Sequence, residues 1–353
     1  MKIESLSTQI VTLLLAKPIK TAIHDMNSVG CVLVRIKADG TEGQGYCFAL
    51  NGTRIKAFDE IIKSYEPLVV GQPLHRIEGI WESIWQSVNA MGQQGMTIGA
   101  LAAVDMALWD AYGKALNQPL HHLFGSCRDR IPTYASGGLW LSQSIDELID
   151  EAYAFIEQGF TRMKIRVGQP SLLADVERVK AVREAIGPDI DLLADVNQGM
   201  NVKQALRLAR ELEVYEIGWL EEPVAAHNLT GHAEIRESVE VPIASGETGY
   251  TRYDMLRMIQ AKACDILMPD LQRMGGLTEM RKVAALAASY NMPVSTHIFT
   301  EQSLCIAGSA PNCISVEHMP WFEGLFQERM EIVDGDLLIP ERPGTGFTFV
   351  EHI

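Results

Sequence analysis

DIDLLADVNQGMNVKQALRLARELEVYEIGWLEEP, residues 189–223, reads as a strand, a helix and a second strand. DLLADV (191–196) and IGWLEEP (217–223) are short apolar runs that carry acidic residues at or near their ends. The stretch between them, 202–213, repeats its apolar residues at helical spacing. A strand–helix–strand of this length is one crossover of a parallel sheet. The same beat runs to both sides of it. IPTYAS (131–136), TRMKIRV (161–167), VPIASGE (241–247), CDILMPD (264–270), MPVSTHI (292–298) and CISVEHM (313–319) read as further strands, and 145–158, 171–186 and 277–290 as further helices. Eight strands, each but the last followed by a helix at a period of about 25 residues, spell an α/β barrel of the TIM type rather than an open doubly wound sheet.

Residues before Ile131 lack this beat. CVLVRIKADGTEGQGYCFAL (31–50) reads as two strands turning at Asp39-Gly40. IVTLLLA (10–16) is too short to span a bilayer and reads as another strand. Residues 55–88 are helical in pattern, and the alanine-rich run 99–116 reads as a buried helix. The stretch 323–353 loses the barrel's rhythm and is expected to fold back on the first domain.

The chain has 353 residues, 47% of them hydrophobic, enough for about two domains. A net charge of −15 disfavours nucleic acid and anionic membranes as partners. The six cysteines, Cys31, Cys47, Cys127, Cys264, Cys305 and Cys313, form no CxxC pair and read as reduced thiols of a cytoplasmic protein.

In such barrels the chemistry sits at the C-terminal strand ends. Lys164 and Arg166, two apart on one strand, face the same space. Asp195, Glu221 and Glu247 follow one another at intervals of 26 residues, one βα unit each. They are expected at equal heights on adjacent strands, where their mutual repulsion suits a hard divalent cation. Helix capping is the simpler reading of any one of them. Glu222, one residue out of phase, is expected to point away. Asp270 and His297 fall on neighbouring strands, so the carboxylate can fix one imidazole nitrogen and leave the other for proton transfer.

MKIR, DVNQG, LEEP, GE, MPDLQRMGG, STH and VEH, with AAVDMALWDAYGKALNQPLHHLFG (102–125), together resemble the enolase superfamily and its mandelate racemase subgroup over nearly the whole chain. The resemblance implies a modified (β/α)7β TIM barrel, residues 129–322, with an α+β capping domain, residues 1–128, completed by about 323–353. It implies one magnesium ion per subunit on Asp195, Glu221 and Glu247, a small-molecule carboxylate substrate, and a symmetric homo-oligomer such as an octamer. His297 with Asp270 would take the substrate's α-proton. Glu317, if protonated, would hydrogen-bond one oxygen of the substrate carboxylate and Lys164 would help neutralise it, and Asn197 would touch substrate or metal-bound water. A flap over 17–30, carrying His24, and the stretch 135–142, carrying Trp140, would choose the substrate.

Family members commonly place a second lysine where this chain has Arg166. A guanidinium is a poor base and a good carboxylate fork. That departure favours dehydration of an acid sugar (an aldonate or aldarate) by the one base His297, giving a 2-keto-3-deoxy acid. A racemase, epimerase or lactone cycloisomerase is the alternative enzyme. A structural ion pair, or a base role after all, stays open for Arg166. A non-catalytic relative and a zinc hydrolase are the other classes; the first has no use for these strand-end residues, and the second would want histidine ligands.

Overall fold

The computed structural model describes residues 1–351. The chain opens with an antiparallel meander of β1 (Ile3–Lys20), β2 (Asp25–Ala38) and β3 (Thr41–Leu50). Asp39 and Gly40, both at positive φ, make the expected turn between β2 and β3, the backbone that a two-residue hairpin loop demands. Five helices follow: α1 (Ile55–Ser64), α2 (Glu66–Val69), α3 (Ile77–Ser87), α4 (Met96–Ala115) and α5 (Leu120–Phe124). Helix α4 is buried along most of its length. Its Ala103, Ala107 and Ala111 lie at helical spacing against Gly43 and Gly45 of β3. A Cβ at either glycine would stand 2.1–2.3 Å from α4 backbone atoms, so helix and strand touch backbone to backbone.

The barrel strands are β4 (Arg130–Ala135), β5 (Arg162–Arg166), β6 (Asp191–Asp195), β7 (Ile217–Glu221), β8 (Ile243–Ser245), β9 (Ile266–Leu267), β10 (Val294–Thr296) and β11 (Cys313–His318). They pair in chain order, all parallel, and β11 returns to β4 to close the ring. The connecting helices are α6 (Ile145–Glu157), α7 (Leu172–Ile186), α8 (Val202–Leu212), α9 (Leu229–Ser238), α10 (Thr251–Gln260), the short α11 (Leu271–Met274) with α12 (Leu277–Ser289), and α13 (Thr300–Ala307). These are the eight strands read from the sequence, and the architecture is a (β/α)7β barrel with an α+β cap. Side chains of Tyr134, Leu193, Trp219, Ala244, Ile266 and Met268 form a separate buried cluster, as expected for a barrel interior packed with side chains rather than open as a pore. Among the described residues no helix is long and apolar enough to cross a membrane. All six cysteines are free; five are buried and Cys127 is exposed.

The C-terminal stretch divides its contacts. Hairpin β12 (Ile332–Val333) and β13 (Asp336–Leu338) does not join the cap sheet; β13 pairs antiparallel with residues 130–132 of β4. Beyond it the chain does return to the cap, where the Thr345 N–H donates to Asp110 and the Phe349 N–H to Gln44.

The cap docks on the segment that follows β9. Trp81 donates to the Gly275 carbonyl, Trp109 to the Thr278 hydroxyl, and Gln272 exchanges two hydrogen bonds with the backbone of Phe48. Buried Asp105 of α4 accepts from both the N–H and the hydroxyl of Thr278, at 2.9 and 2.5 Å. Burial pushes the Asp105 carboxyl up to about 7 despite those bonds. Because the folded value lies above the unfolded one, its stabilising contribution is full below about pH 4 and is lost as pH rises through about 7. Asp105→Asn should therefore gain stability relative to the parent between pH 5 and 8, measured as the difference between their thermal midpoints. A difference that stays flat with pH would mean that Asp105 is ionised throughout.

Candidate active site

Parallel pairing sets Arg166 opposite Asp195, Asp195 opposite Glu221, and Glu221 opposite Ala244. The first three therefore share one level of the barrel mouth. Glu247 does not share it, contrary to the equal heights expected from the 26-residue interval. Strand β8 ends at Ser245, and Gly246, at φ +139° and close against the Met268 backbone, turns the chain out. Glu247 is thus carried on the loop above.

Lys164 is the buried centre of this level. Its ammonium lies 2.8 Å from Glu221, 2.9 Å from Glu317 and 3.6 Å from Asp195, over the Tyr134 ring. Burial opposes its charge, but the attraction of Glu221 and Glu317 outweighs burial and holds its pKa well above the ordinary lysine value. Burial, against the pull of Lys164 and with the repulsion of Asp195, Glu317 and Glu247, pushes Glu221 up to about 8.

The surroundings of Glu317 favour its ionised form, so the condition under which it would donate to a substrate carboxylate is opposed here. Burial favours its neutral form, yet Lys164, His297 and Arg166 draw it far below the usual carboxylate range. It is an acceptor here, receiving the Ser136 hydroxyl at 2.5 Å and the Ile298 N–H at 2.7 Å.

Arg166 is 3% exposed. One Nη donates to Ser136, Nε lies 3.4 Å from Asp195, and the guanidinium stands 4.5 Å above the Trp140 ring. Among the described residues its other Nη has no hydrogen-bond partner. The loop that carries Trp140 is pinned by Arg178, which donates to the carbonyls of Trp140 and Gln143, and by Glu151, which accepts from the Leu139 N–H.

Across the mouth, His297 Nδ1 sits 2.8 Å from Asp270, whose other oxygen caps α11 by accepting the Arg273 N–H. Asp270 is therefore both a helix cap and the imidazole's partner. Nε2 of His297 faces the cavity, 3.3 Å from Glu247. Burial lowers the affinity of His297 for its proton, but Glu247 and Asp270 more than restore it, to a value of about 9. Asn197 donates its backbone N–H and side-chain amide to Asp195, while its Oδ1 has no partner among the described residues. Glu222 points away as expected, bonded by Gln198 and Thr248.

A cavity of about 90 Å³ is lined by Lys164, Arg166, Asp195, Asn197, Glu247, His297 and Glu317, with His24 and Trp140 also in its wall. Arg273, Ser136 and Trp321 also belong to this region and escaped the sequence reading. Arg273 lies one turn beyond Asp270, and Ser136 directly follows β4, positions a closer inspection of strand ends could have raised. Trp321, stacked on Trp140, carries no such signal.

The flap lies closed over the cavity. Lys20 accepts from the Leu141 N–H, and Ala22 packs on Gly168 and Gly199, where a Cβ added at Gly199 would come 2.7 Å from that of Ala22.

Residues 5–125 match the family model described as the mandelate racemase/muconate lactonizing enzyme N-terminal domain, and residues 147–353 the enolase C-terminal domain-like model. The chain is 31% identical to L-talarate/galactarate dehydratase of Salmonella typhimurium, over 99% of this chain and 90% of that protein. It is 34% identical to 3,6-anhydro-alpha-L-galactonate cycloisomerase of Streptomyces coelicolor, over 93% of each. Among solved structures, L-talarate dehydratase of Polaromonas sp. JS666, complexed with Mg and L-glucarate, superposes with a TM-score of 0.95 at 32% identity, covering 100% of this chain and 96% of that one.

Gly199→Ala should force Ala22 off its seat. Overpacking of about 1–3 kcal/mol should speed amide exchange in residues 20–25 by about 5- to 160-fold while leaving the barrel strands unchanged. Unaltered exchange would show that the flap does not rest on Gly199.

Proposed function

The chain belongs to the mandelate racemase/muconate lactonizing enzyme family of enolase-like proteins, and we propose that it is a magnesium-dependent dehydratase of an acid sugar. The observation that carries this reading is the asymmetry of the mouth: an Asp270-bound His297 on one side, and two buried basic side chains paired with carboxylates, Lys164 and Arg166, on the other.

Asp195, Glu221 and Glu247 would hold the ion. Their donor set is all carboxylate oxygen, which suits a hard cation, and the burial, joined by repulsion from Asp195, Glu317 and Glu247, that pushes Glu221 up is what a divalent charge would offset. Bound there, magnesium supplies a Lewis acid for the substrate carboxylate. Glu247 would then be drawn from His297, removing the largest of the attractions that hold the imidazole protonated.

His297 Nε2 takes the α-proton, and the C–H electron pair becomes the carbon–carbon double bond of the enediolate. Lys164 offsets the charge that develops on the substrate carboxylate. The His297 imidazolium then returns its proton to the departing 3-hydroxyl, which leaves as water. The resulting enol takes a proton at C3 and gives up the proton of its 2-hydroxyl as it becomes the 2-keto-3-deoxy acid. Asp270 keeps the imidazole oriented through both transfers. The Nη of Arg166 that has no hydrogen-bond partner among the described residues would be available to a substrate anion, and a diacid sugar offers it a second carboxylate. A lactone cycloisomerase starts with the same proton abstraction, and the 34% identity to a cycloisomerase supports it as the second reading.

The test is incubation with magnesium and a panel of aldonates, aldarates and mandelate in D2O, followed by NMR. A new keto acid that disappears in His297→Asn supports the dehydratase. Proton exchange without a keto acid would overturn it in favour of an isomerase. Arg166→Lys separates the roles of that residue. As an anion fork, Arg166 should lose about 10- to 100-fold in kcat/KM when replaced by lysine, the worth of one charge-assisted bond. Product of inverted configuration from the lysine variant would instead show that this side of the site can serve as a base.

A further inference from the structure

Far from the barrel mouth, His121 and His122 of α5 face Glu341, just beyond β13. His121 Nε2 lies 3.4 Å from one carboxylate oxygen and His122 Nε2 lies 3.2 Å from the other. The three donor atoms, one from each residue, all fall within 4.8 Å of one another. We propose that His121, His122 and Glu341 form a second metal site, for a borderline transition-metal ion such as Zn2+.

Three observations carry this. The donor atoms converge: each histidine Nε2 lies 3.2–3.4 Å from a Glu341 oxygen, close to the roughly 3.3 Å between two ligands each about 2.05 Å from a tetrahedral ion, and one atom from each residue lies within 4.8 Å of the others. The His121 ring is 2% exposed, and its buried Nε2, 3.4 Å from Glu341, makes no hydrogen bond of good geometry among the described residues. Such a nitrogen is costly to leave unpaired, and a metal ion would satisfy it. The donor chemistry also differs from that of the mouth: two imidazoles and one carboxylate favour zinc, copper or nickel over magnesium. Burial lowers His121 from its ordinary value, which keeps a lone pair available to a metal.

The site would fasten the C-terminal tail to α5. Helix α5 itself lies against the barrel, where a Cβ added at Gly308 would come 2.9 Å from that of His121. With three protein ligands and the outer side exposed, the remaining position would be left to water.

The test is titration of the intact protein with ZnCl2 in excess MgCl2, so that the mouth is saturated with its own ion. The parent should bind one Zn2+ per chain, with a rise in thermal midpoint. His122→Ala and Glu341→Ala, both at exposed positions, should each weaken that binding at least 10-fold without changing magnesium-dependent turnover. No Zn2+ uptake by the parent, or uptake retained in both variants, would overturn the proposal. Neither outcome bears on the dehydratase reading, which rests on other residues.

Discussion

The ammonium of Lys164 holds the barrel mouth together. Asp195, Glu221 and Glu317 arrive from three strands into space closed to water, where like charges repel strongly and desolvation penalises each. Lys164 sits among all three. The exchange is mutual, because the carboxylates keep the lysine charged against its burial. A cation locked in this way serves to balance charge and leaves proton transfer to His297. Arg166 is held in the same way, its contacts with Ser136, Asp195 and Trp140 fixing its plane and leaving one Nη without a hydrogen-bond partner among the described residues.

The cavity over this cluster exists only because the cap is held close. Glycines on β3 let α4 approach at backbone distance, and α4 in turn brings Asp105 onto Thr278 and Asp110 onto the returning tail. A side chain at Gly43 would push helix and strand apart, and the flap that grows from the same sheet would lose its position over Trp140. The small residues at Ala22, Gly168 and Gly199 repeat that device at the rim. Precision at the mouth therefore depends on what is missing from side chains some distance away as much as on the charged groups themselves.

The barrel was legible because its order is local. Each strand–helix unit announces itself through apolar runs and helical spacing, and parallel closure follows from repeating the unit eight times. Lys164 and Arg166 sharing a face, and Asp270 serving His297, follow from strand periodicity and adjacency alone. The enzyme class came from motif resemblance at those strand ends. The destination of hairpin β12–β13 was not legible, because an edge pairing with β4 depends on which backbone groups the closed barrel leaves free.

What the sequence by itself determined is the fold, the shared face of Lys164 and Arg166, the shared height of Asp195 and Glu221 on neighbouring strands, and the kind of chemistry those residue types permit. What only the tertiary structure decided is the state of each group. The height of Glu247 depended on where β8 ends. The ionised, acceptor-only condition of Glu317 depended on Lys164, Ser136 and Ile298 converging from three separate segments. The neighbours of Arg166, and the pairing of Glu341 with two adjacent histidines, likewise join residues far apart in the chain. Periodicity sets which way a side chain points, but protonation, burial and partnership are set by the sum of long-range contacts, and no local pattern encodes that sum.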